Sequence, residues 1–223
     1  IGLFANRTYD GTAHLLGDDV SITTGVGSET LSHIGTTSSS KDVATTNKFI
    51  SAISLTDASD GSGGLASNYQ LPSLDSVNAP VSITAKTIGL SANRIYDGTF
   101  DLLNSDVSIT TGVGNETLNH TGSTSSSKDV AVANKFISTI NLADATDGSG
   151  GISTNYQLPS LDAINAPVTI IARTVGLSAN RIYDGSLDLV GADVTITTGV
   201  GFETLSHTAT TSSSKDVAIA DKY

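Results

Sequence analysis

The chain repeats itself every 87 residues, and nothing else in it limits the fold as tightly. Ile1-Gly-Leu-Phe-Ala-Asn-Arg-Thr-Tyr-Asp-Gly11 returns as Ile88-Gly-Leu-Ser-Ala-Asn-Arg-Ile-Tyr-Asp-Gly98 and as Val175-Gly-Leu-Ser-Ala-Asn-Arg-Ile-Tyr-Asp-Gly185. A gapless alignment of 1–87 with 88–174 leaves 63 of 87 positions identical, and the third copy stops at Tyr223, 49 residues in. Solenoid units are about 20–50 residues long and bury a core only by stacking. A period of 87 is long enough for a small domain with its own core. The expected organisation is a string: repeat 1 at 1–87, repeat 2 at 88–174 and a partial repeat 3 at 175–223. Function in such a string lies in length, number and surface rather than in one active site.

Only 11 Lys and Arg stand against 22 Asp and Glu, for a net charge of −11. Nucleic acid and anionic membranes need a basic footprint, so neither is an expected partner. With no Cys, disulfide staples and thiolate metal sites are excluded. Apolar stretches are a few residues long, so no membrane insertion by this segment is expected. The chain opens inside a repeat motif, so a targeting signal is expected to lie outside this sequence. Thr, Ser, Gly, Asn and Asp abound while good helix formers are scarce, which points to an all-β fold rich in turns.

Apolar alternation supplies the strands. Val107 and Ile109 alternate with Ser108 and Thr110 and run into Gly112-Val-Gly114, read as a strand and a hairpin turn. Val130, Val132, Phe136, Ile140 and Leu142 share one parity over 130–142, with Lys135 and Thr139 on the wet face and Asn134 on the buried one. Val43, Phe49, Ile53 and Leu55 repeat this in the first copy, with Asn47 matching Asn134. Asp144-Ala-Thr-Asp147-Gly-Ser-Gly-Gly151 is a loop, and Asn155-Tyr-Gln-Leu158 resumes a strand that Pro159 confines to an edge or an end. Val168, Ile170 and Ala172 alternate again, and the apolar parity then slips by one residue at Thr174, as it does at Thr87. These threonines mark either β-bulges or joints between domains; no flexible linker separates the copies, which favours joints and a stiff rod. About seven or eight short strands per copy fit an Ig-like β-sandwich.

No residue set qualifies as catalytic, cofactor-binding or metal-binding. Ser38-Ser-Ser-Lys41, with its copies at Ser125–Lys128 and Ser212–Lys215, matches Ser-x-x-Lys, but it precedes a strand where the catalytic motif opens a helix. His33, His120 and His207 fall one per copy, too sparse for zinc. Asp57-x-x-Asp60-Gly and Asp144-x-x-Asp147-Gly fail the EF-hand pattern, since its first and third positions fall on Thr56 and Ala58. Calcium in another geometry is the one cofactor left open. Gly25-Val-Gly27 is too short for a phosphate loop. A Lys–Asn isopeptide bond would need Lys41 or Lys48 beside a buried Asn such as Asn47 or Asn68. Large substitutions between copies, at Phe4/Ser91/Ser178, Ala13/Phe100/Leu187 and Ser28/Asn115/Phe202, mark contact sites if exposed.

Three short motifs recur in order: Tyr9-Asp-Gly-Thr12, Lys41-Asp-Val43 and Asn68-Tyr-Gln-Leu71, with the first two also at 96–99, 128–130, 183–186 and 215–217 and the third at 155–158. This order resembles the YDG and MBG repeat domains of large bacterial surface proteins, including filamentous-haemagglutinin-like adhesins exported by two-partner secretion. The resemblance implies tandem Ig-like β-sandwich domains in an elongated extracellular stalk, secreted or on the bacterial surface, acting in adhesion or biofilm. Exposed β-edges in a repeated rod make the chain itself (lateral or end-to-end) an expected partner, beside surface and matrix glycans or proteins, and the lack of a convergent acid, base or nucleophile set speaks against an enzyme. The alternative is a repeated carbohydrate- or peptide-binding module. Physically, Tyr-Asp-Gly reads as a fold element: Gly takes φ > 0, Asp caps backbone N–H groups, and Tyr buries its ring and anchors its hydroxyl, as in the tyrosine corner of other sandwiches.

Overall fold

A computed structural model describes residues 1–223, and its regular structure is almost entirely β. Repeat 1 carries β1 (Gly2–Thr8), β2 (Val20–Thr23), β3 (Ser32–Ser38), β4 (Ile50–Thr56) and β5 (Val81–Thr84). The short β6 (Lys86–Thr87) leads into repeat 2, with β7 (Gly89–Ile95), β8 (Val107–Thr110), β9 (Asn119–Ser125), β10 (Ile137–Ala143), β11 (Tyr156–Gln157) and β12 (Val168–Ile171). Repeat 3 holds β13 (Gly176–Ala179), β14 (Asp188–Leu189), β15 (Val194–Thr197) and β16 (Thr210–Thr211). No strand exceeds seven residues, and regular strands are fewer than turn spacing predicts.

The two full copies share one plan. β1 lies between β2, antiparallel, and β5, parallel; β7 lies likewise between β8 and β12. β3 and β4 form a second antiparallel pair, as do β9 and β10. Bridges at Phe49–Pro80 and Phe136–Pro167 join the two sheets at one corner. Both prolines stand just ahead of a strand, where a missing N–H costs nothing and the carbonyl is used: Pro80 accepts from the Ala5 N–H at 2.9 Å. In β1 the alternation is strict, with Leu3, Ala5 and Arg7 inward. Its third inward residue is thus an arginine, which apolar periodicity does not reveal.

Twenty-one buried residues, from Leu3 to Ile170, form a single apolar cluster that runs through both full repeats. Repeat 3 contributes none of them. Residues 175–223 hold no counterpart of β5 or β12, so β13 has one neighbour and all four of its residues are exposed.

The segment at 130–142 departs from its alternating pattern. Residues 130–135 form a turn, Val130 and Val132 are exposed, and Lys135 is buried with its Nζ on the carbonyls of Val130 (3.0 Å) and Val132 (2.5 Å). Lys48 does the same in repeat 1 with Val43 and Thr45, and burial lowers its pKa. Asn47 and Asn134 are exposed, each at φ 54°, so they are turn residues rather than buried polar groups. Register shifts within β10 then put Ile137 and Ile140, three apart, on the same buried side.

Candidate functional site

The recurring motifs converge where one repeat meets the next. The segment from Val81 to Ile95 runs through β5, β6 and β7 with single residues between the strands. The buried set changes there from Val81 and Ile83 to Ile88, Leu90 and Ala92. The parity slip at Thr87 is therefore the passage from one repeat's sheet to the next.

Tyr9-Asp10-Gly11 forms a tight turn after β1. Asp10 accepts from the Thr12 N–H (2.8 Å) and hydroxyl (3.0 Å) and pairs with the buried Arg7 guanidinium. Gly11 sits at φ +85°, and a Cβ there would lie 2.6 Å from Cγ1 of Val113 in the next repeat. The glycine is required twice, by its left-handed backbone and by the side chain packed against it. Val113 belongs to the Gly112-Val-Gly114 turn, which connects strands of different sheets and is not a hairpin, since β8 pairs with β7 and β9 with β10. Thr111 and Glu116 close that turn, the Thr111 hydroxyl donating to the Glu116 carbonyl at 2.7 Å.

Glu116 is the hub. Its carboxylate accepts from the Tyr9 hydroxyl (2.9 and 3.1 Å) and from the Tyr156 hydroxyl (2.6 Å), with Lys41 Nζ at 3.6 Å. The two tyrosine rings meet edge to face at 5.4 Å and 79°, and Lys41 Nζ stands 5.9 Å above the Tyr9 ring. Asn155, fully buried, accepts from the Val43 N–H (2.8 Å) and donates to Asp42 (2.9 Å). β11 pairs in parallel with β6, and the Gln157 side chain donates to Thr87 at 2.8 Å. Tyr-Asp-Gly and Lys-Asp-Val of one repeat thus grip Val-Gly-x-Glu and Asn-Tyr of the next. The Tyr9 ring is buried as expected, but its hydroxyl anchors on the neighbouring repeat rather than on its own.

Burial, followed by the Glu116 hydrogen bond, pushes both the Tyr9 and Tyr156 phenols far above their ordinary range. Both phenols stay protonated near neutral pH and donate across the joint to one carboxylate.

The second joint repeats half of this pattern. Tyr96 donates to Glu203 at 2.5 Å, Lys128 Nζ lies 5.8 Å over the Tyr96 ring, and a Cβ on Gly98 would meet Val200 at 2.7 Å. Residues 175–223 stop short of the position that Asn155 and Tyr156 hold in repeat 2. A cavity of about 200 Å³ lies there, lined by Tyr96, Val130, Arg173 and Glu203 among others. The counterparts of these four, Tyr9, Val43, Lys86 and Glu116, contact Asn155 or Tyr156 in the first joint.

The remaining candidates resolve into local roles. Ser38 and Ser125 hydroxyls donate to the carbonyls of Ser40 and Ser127 in the turn after their strand, while Lys41 faces the joint. Each repeated His places Nδ1 on a hydroxyl within its own repeat, Thr36, Ser123 or Thr210, at 2.6–2.7 Å. Asp60 and Asp147 hold the Gly-rich loop, accepting from Thr30 and Thr117 at 2.7 Å. No group of three or more His, Asp or Glu side chains is assembled as a metal set. Lys48 Nζ lies on backbone carbonyls and Asn47 and Asn68 are both exposed, so neither asparagine offers the buried site that an isopeptide bond needs. Phe4 is half exposed and Phe202 fully so. Sequence reasoning did not single out Glu116 or Arg7 and took Val113 only as part of a hairpin turn; the recurrence of each in every copy is what signals them. No family model, curated protein or solved structure matches this chain.

Proposed function

We propose that these residues are stalk repeats of a secreted or surface-anchored bacterial adhesin, acting in cell adhesion or biofilm matrix. In this reading each full copy is a small Ig-like β-sandwich and the copies string into an elongated rod. The observation that carries it is the location of the motifs. Tyr-Asp-Gly, Lys-Asp-Val and Asn-Tyr, the residues that resemble bacterial stalk repeats, are the residues that lock repeat to repeat. A chain that devotes its recurring polar residues to joints is built to hold length and direction, which is what a stalk requires. The −11 net charge keeps such a rod soluble and self-repelling.

Two measurements test it. Small-angle scattering should give a rod of single-repeat cross-section, whereas a coil-like profile would sink the stalk. Antibody against the chain should label intact source cells or their matrix; labelling only after lysis would reject the extracellular placement.

The carbohydrate-binding alternative rests on one feature, a polar hollow of about 440 Å³ on repeat 2 lined by Ser91, Asn93, Ser105, Asp106, Ser108 and Thr169. Glycan-array binding abolished by Asp106→Ala would select it.

A further inference from the structure

One edge of the three-stranded sheet in repeat 2 is bare along its whole length. β8 ends that sheet and pairs with β7 alone. The ladder decides which of its backbone groups point away. The Ala92 N–H turns to the Pro167 carbonyl on the β12 side, so Ala92 and Val107 do not exchange hydrogen bonds. Bonded and non-bonded pairs alternate along an antiparallel ladder, which makes Ser91 with Ser108 and Gly89 with Thr110 the bonded ones. The N–H and C=O groups of Val107 and Ile109 therefore point out of the sheet, and no other backbone hydrogen bond reaches Val107–Thr110. Repeat 2 has a copy on either side, and neither adds a strand to this edge. Repeat 1 has the same arrangement: Ala5 donates to Pro80, and Val20-Ser-Ile-Thr23 is the bare edge. Sheets guard such edges with Lys, Pro, a bulge or an inward-pointing charge. β8 is Val-Ser-Ile-Thr in unbroken register with β7, and its only guard is its length of four residues. The outward residues beside it, Ser91, Asn93, Ile95, Thr169 and Ile171, are uncharged too.

We infer that this edge pairs side by side with the same edge of a second copy of the chain, antiparallel, about a two-fold axis at Ser108. The occupant follows from the edge's complementarity to itself. With Ser108 opposite Ser108, Val107 of each copy faces Ile109 of the other. These are the residues whose N–H and C=O groups are free, so each such pair exchanges both hydrogen bonds. Ser108 then falls at a non-bonded pair, where strands approach most closely and the two hydroxyls meet. The partly buried Val107 and Ile109 line one face of the joined sheet and the exposed Ser108 the other. A slip of one residue would set apolar side chains against hydroxyls, so the register is fixed. The contact is isologous. One edge of four residues holds weakly, but the edge recurs as β2 and as Val194-Thr-Ile-Thr197 in β15, so contacts add along the chain. The net charge of −11 opposes pairing, which should therefore strengthen as salt screens it.

The pairing does not rest on the stalk reading and fails separately from it. The test is sedimentation of the full chain over rising concentration and salt. One variant carries Ser21→Lys, Ser108→Lys and Thr195→Lys, and a second carries Ser21→Asp, Ser108→Asp and Thr195→Asp. All three positions face outward on their strands, and matching melts verify the fold. Wild type should rise from the mass of one chain to two and beyond. Each variant alone should stay at one chain, because like charges meet at the axis. The two variants mixed should associate again, Lys of one opposite Asp of the other. Wild type that remains single to its solubility limit, variants that associate as wild type does, or a mixture that stays single overturns the inference. A stiff rod that never associates keeps the stalk and removes the pairing; a coil-like chain whose association is blocked and rescued at these positions does the reverse.

Discussion

The Tyr9 hydroxyl donates to the Glu116 carboxylate, 107 residues away and in the next repeat. The same carboxylate holds Tyr156, so two buried phenols share one acceptor. Glu116→Ala leaves both without a partner. Removing the acceptor from buried donors costs about 1–3 kcal/mol per group, and hydrogen bonds to a charge lie at the upper end. For the two groups the expected loss is about 3–6 kcal/mol in denaturant unfolding of the full chain. Glu116→Gln, which keeps one acceptor oxygen, should lose about half of that. Equal losses would mean the charge, not the hydrogen bonds, holds the joint.

Gly11 and Gly185 have nearly the same backbone, φ +85° and +82°, but different surroundings. Alanine at either position meets left-handed strain of about 1–2 kcal/mol. Only at Gly11 does the new Cβ also strike Val113. Gly11→Ala should therefore loosen repeat 1 from repeat 2, seen as faster independent tumbling in NMR relaxation, and Gly185→Ala should leave that relaxation unchanged. Unchanged tumbling in Gly11→Ala would show that the Val113 contact does not set the stiffness.

What could be read without coordinates was whatever is periodic or local. The 87-residue period, the alternation of Val168 and Ile170, and the slip at Thr87 all come from the order of neighbouring residues. What could not be read was whatever depends on a partner far away in the chain. Glu116 is one acid in a short Gly-rich turn, and nothing within a few residues says that two tyrosines end on it. Arg7 and Lys135 mislead for another reason. Each is a long side chain that burial tolerates only because backbone carbonyls or a carboxylate receive its charge, and a polarity pattern counts it as wet. The Tyr-Asp-Gly turn was legible as chemistry, but the direction of its hydroxyl was not.

Arg94 shows how much that turn depends on a buried charge. Its side chain is 2 % exposed and is held by Asp97, by the carbonyls of Thr99 and Asp101, and by the turn they define. Asp97→Ala leaves the guanidinium without its counter-charge and removes the cap on the Thr99 N–H. Breaking such a pair from one side costs about 3–5 kcal/mol when fully buried. Asp97 is 40 % exposed, which puts the expectation at the lower end, about 3 kcal/mol by denaturant unfolding. A loss under about 1 kcal/mol would show that the backbone carbonyls alone satisfy Arg94.

Stability should fall at both ends of the pH scale, for different groups. Burial lowers the pKa of His120 below its ordinary 6.5, so in the window beneath 6.5 the unfolded chain binds the proton more readily. Stability is then lost as pH falls through that window, and His120→Gln should flatten this part of the profile. Tyr9 and Tyr156 behave oppositely. Their phenols are raised above the ordinary 10.0, so above pH 10 the unfolded chain gives up protons that the folded joint keeps. Stability should be full below pH 10 and lost above it, with a rise in phenolate absorbance that coincides with joint opening. The chain has six tyrosines, and the appearance of all six phenolates before any loss of structure would contradict the burial of Tyr9 and Tyr156.

The Gly-rich loops offer the clearest case against a calcium requirement. Asp60 accepts from Thr30 and Ser62, and Asp147 from Ser149 and Thr117, interactions that hold both carboxyls down to about 2. Asp57 and Asp144 cap the N–H groups of Ala66 and Ser153 at 2.8 Å. Gly64 and Gly151 press against the carbonyls of Thr30 and Thr117, where a Cβ would lie within 1.9 Å, so the loop is seated by its own backbone. A calcium ion would have to displace these donors before it could bind. The thermal melt should therefore be the same in chelator and in millimolar calcium. A ligand that binds only the folded state raises the melt with its concentration, by about 2.7 kcal/mol at a hundredfold over Kd, so a calcium-dependent rise would show that the loops reorganise around an ion.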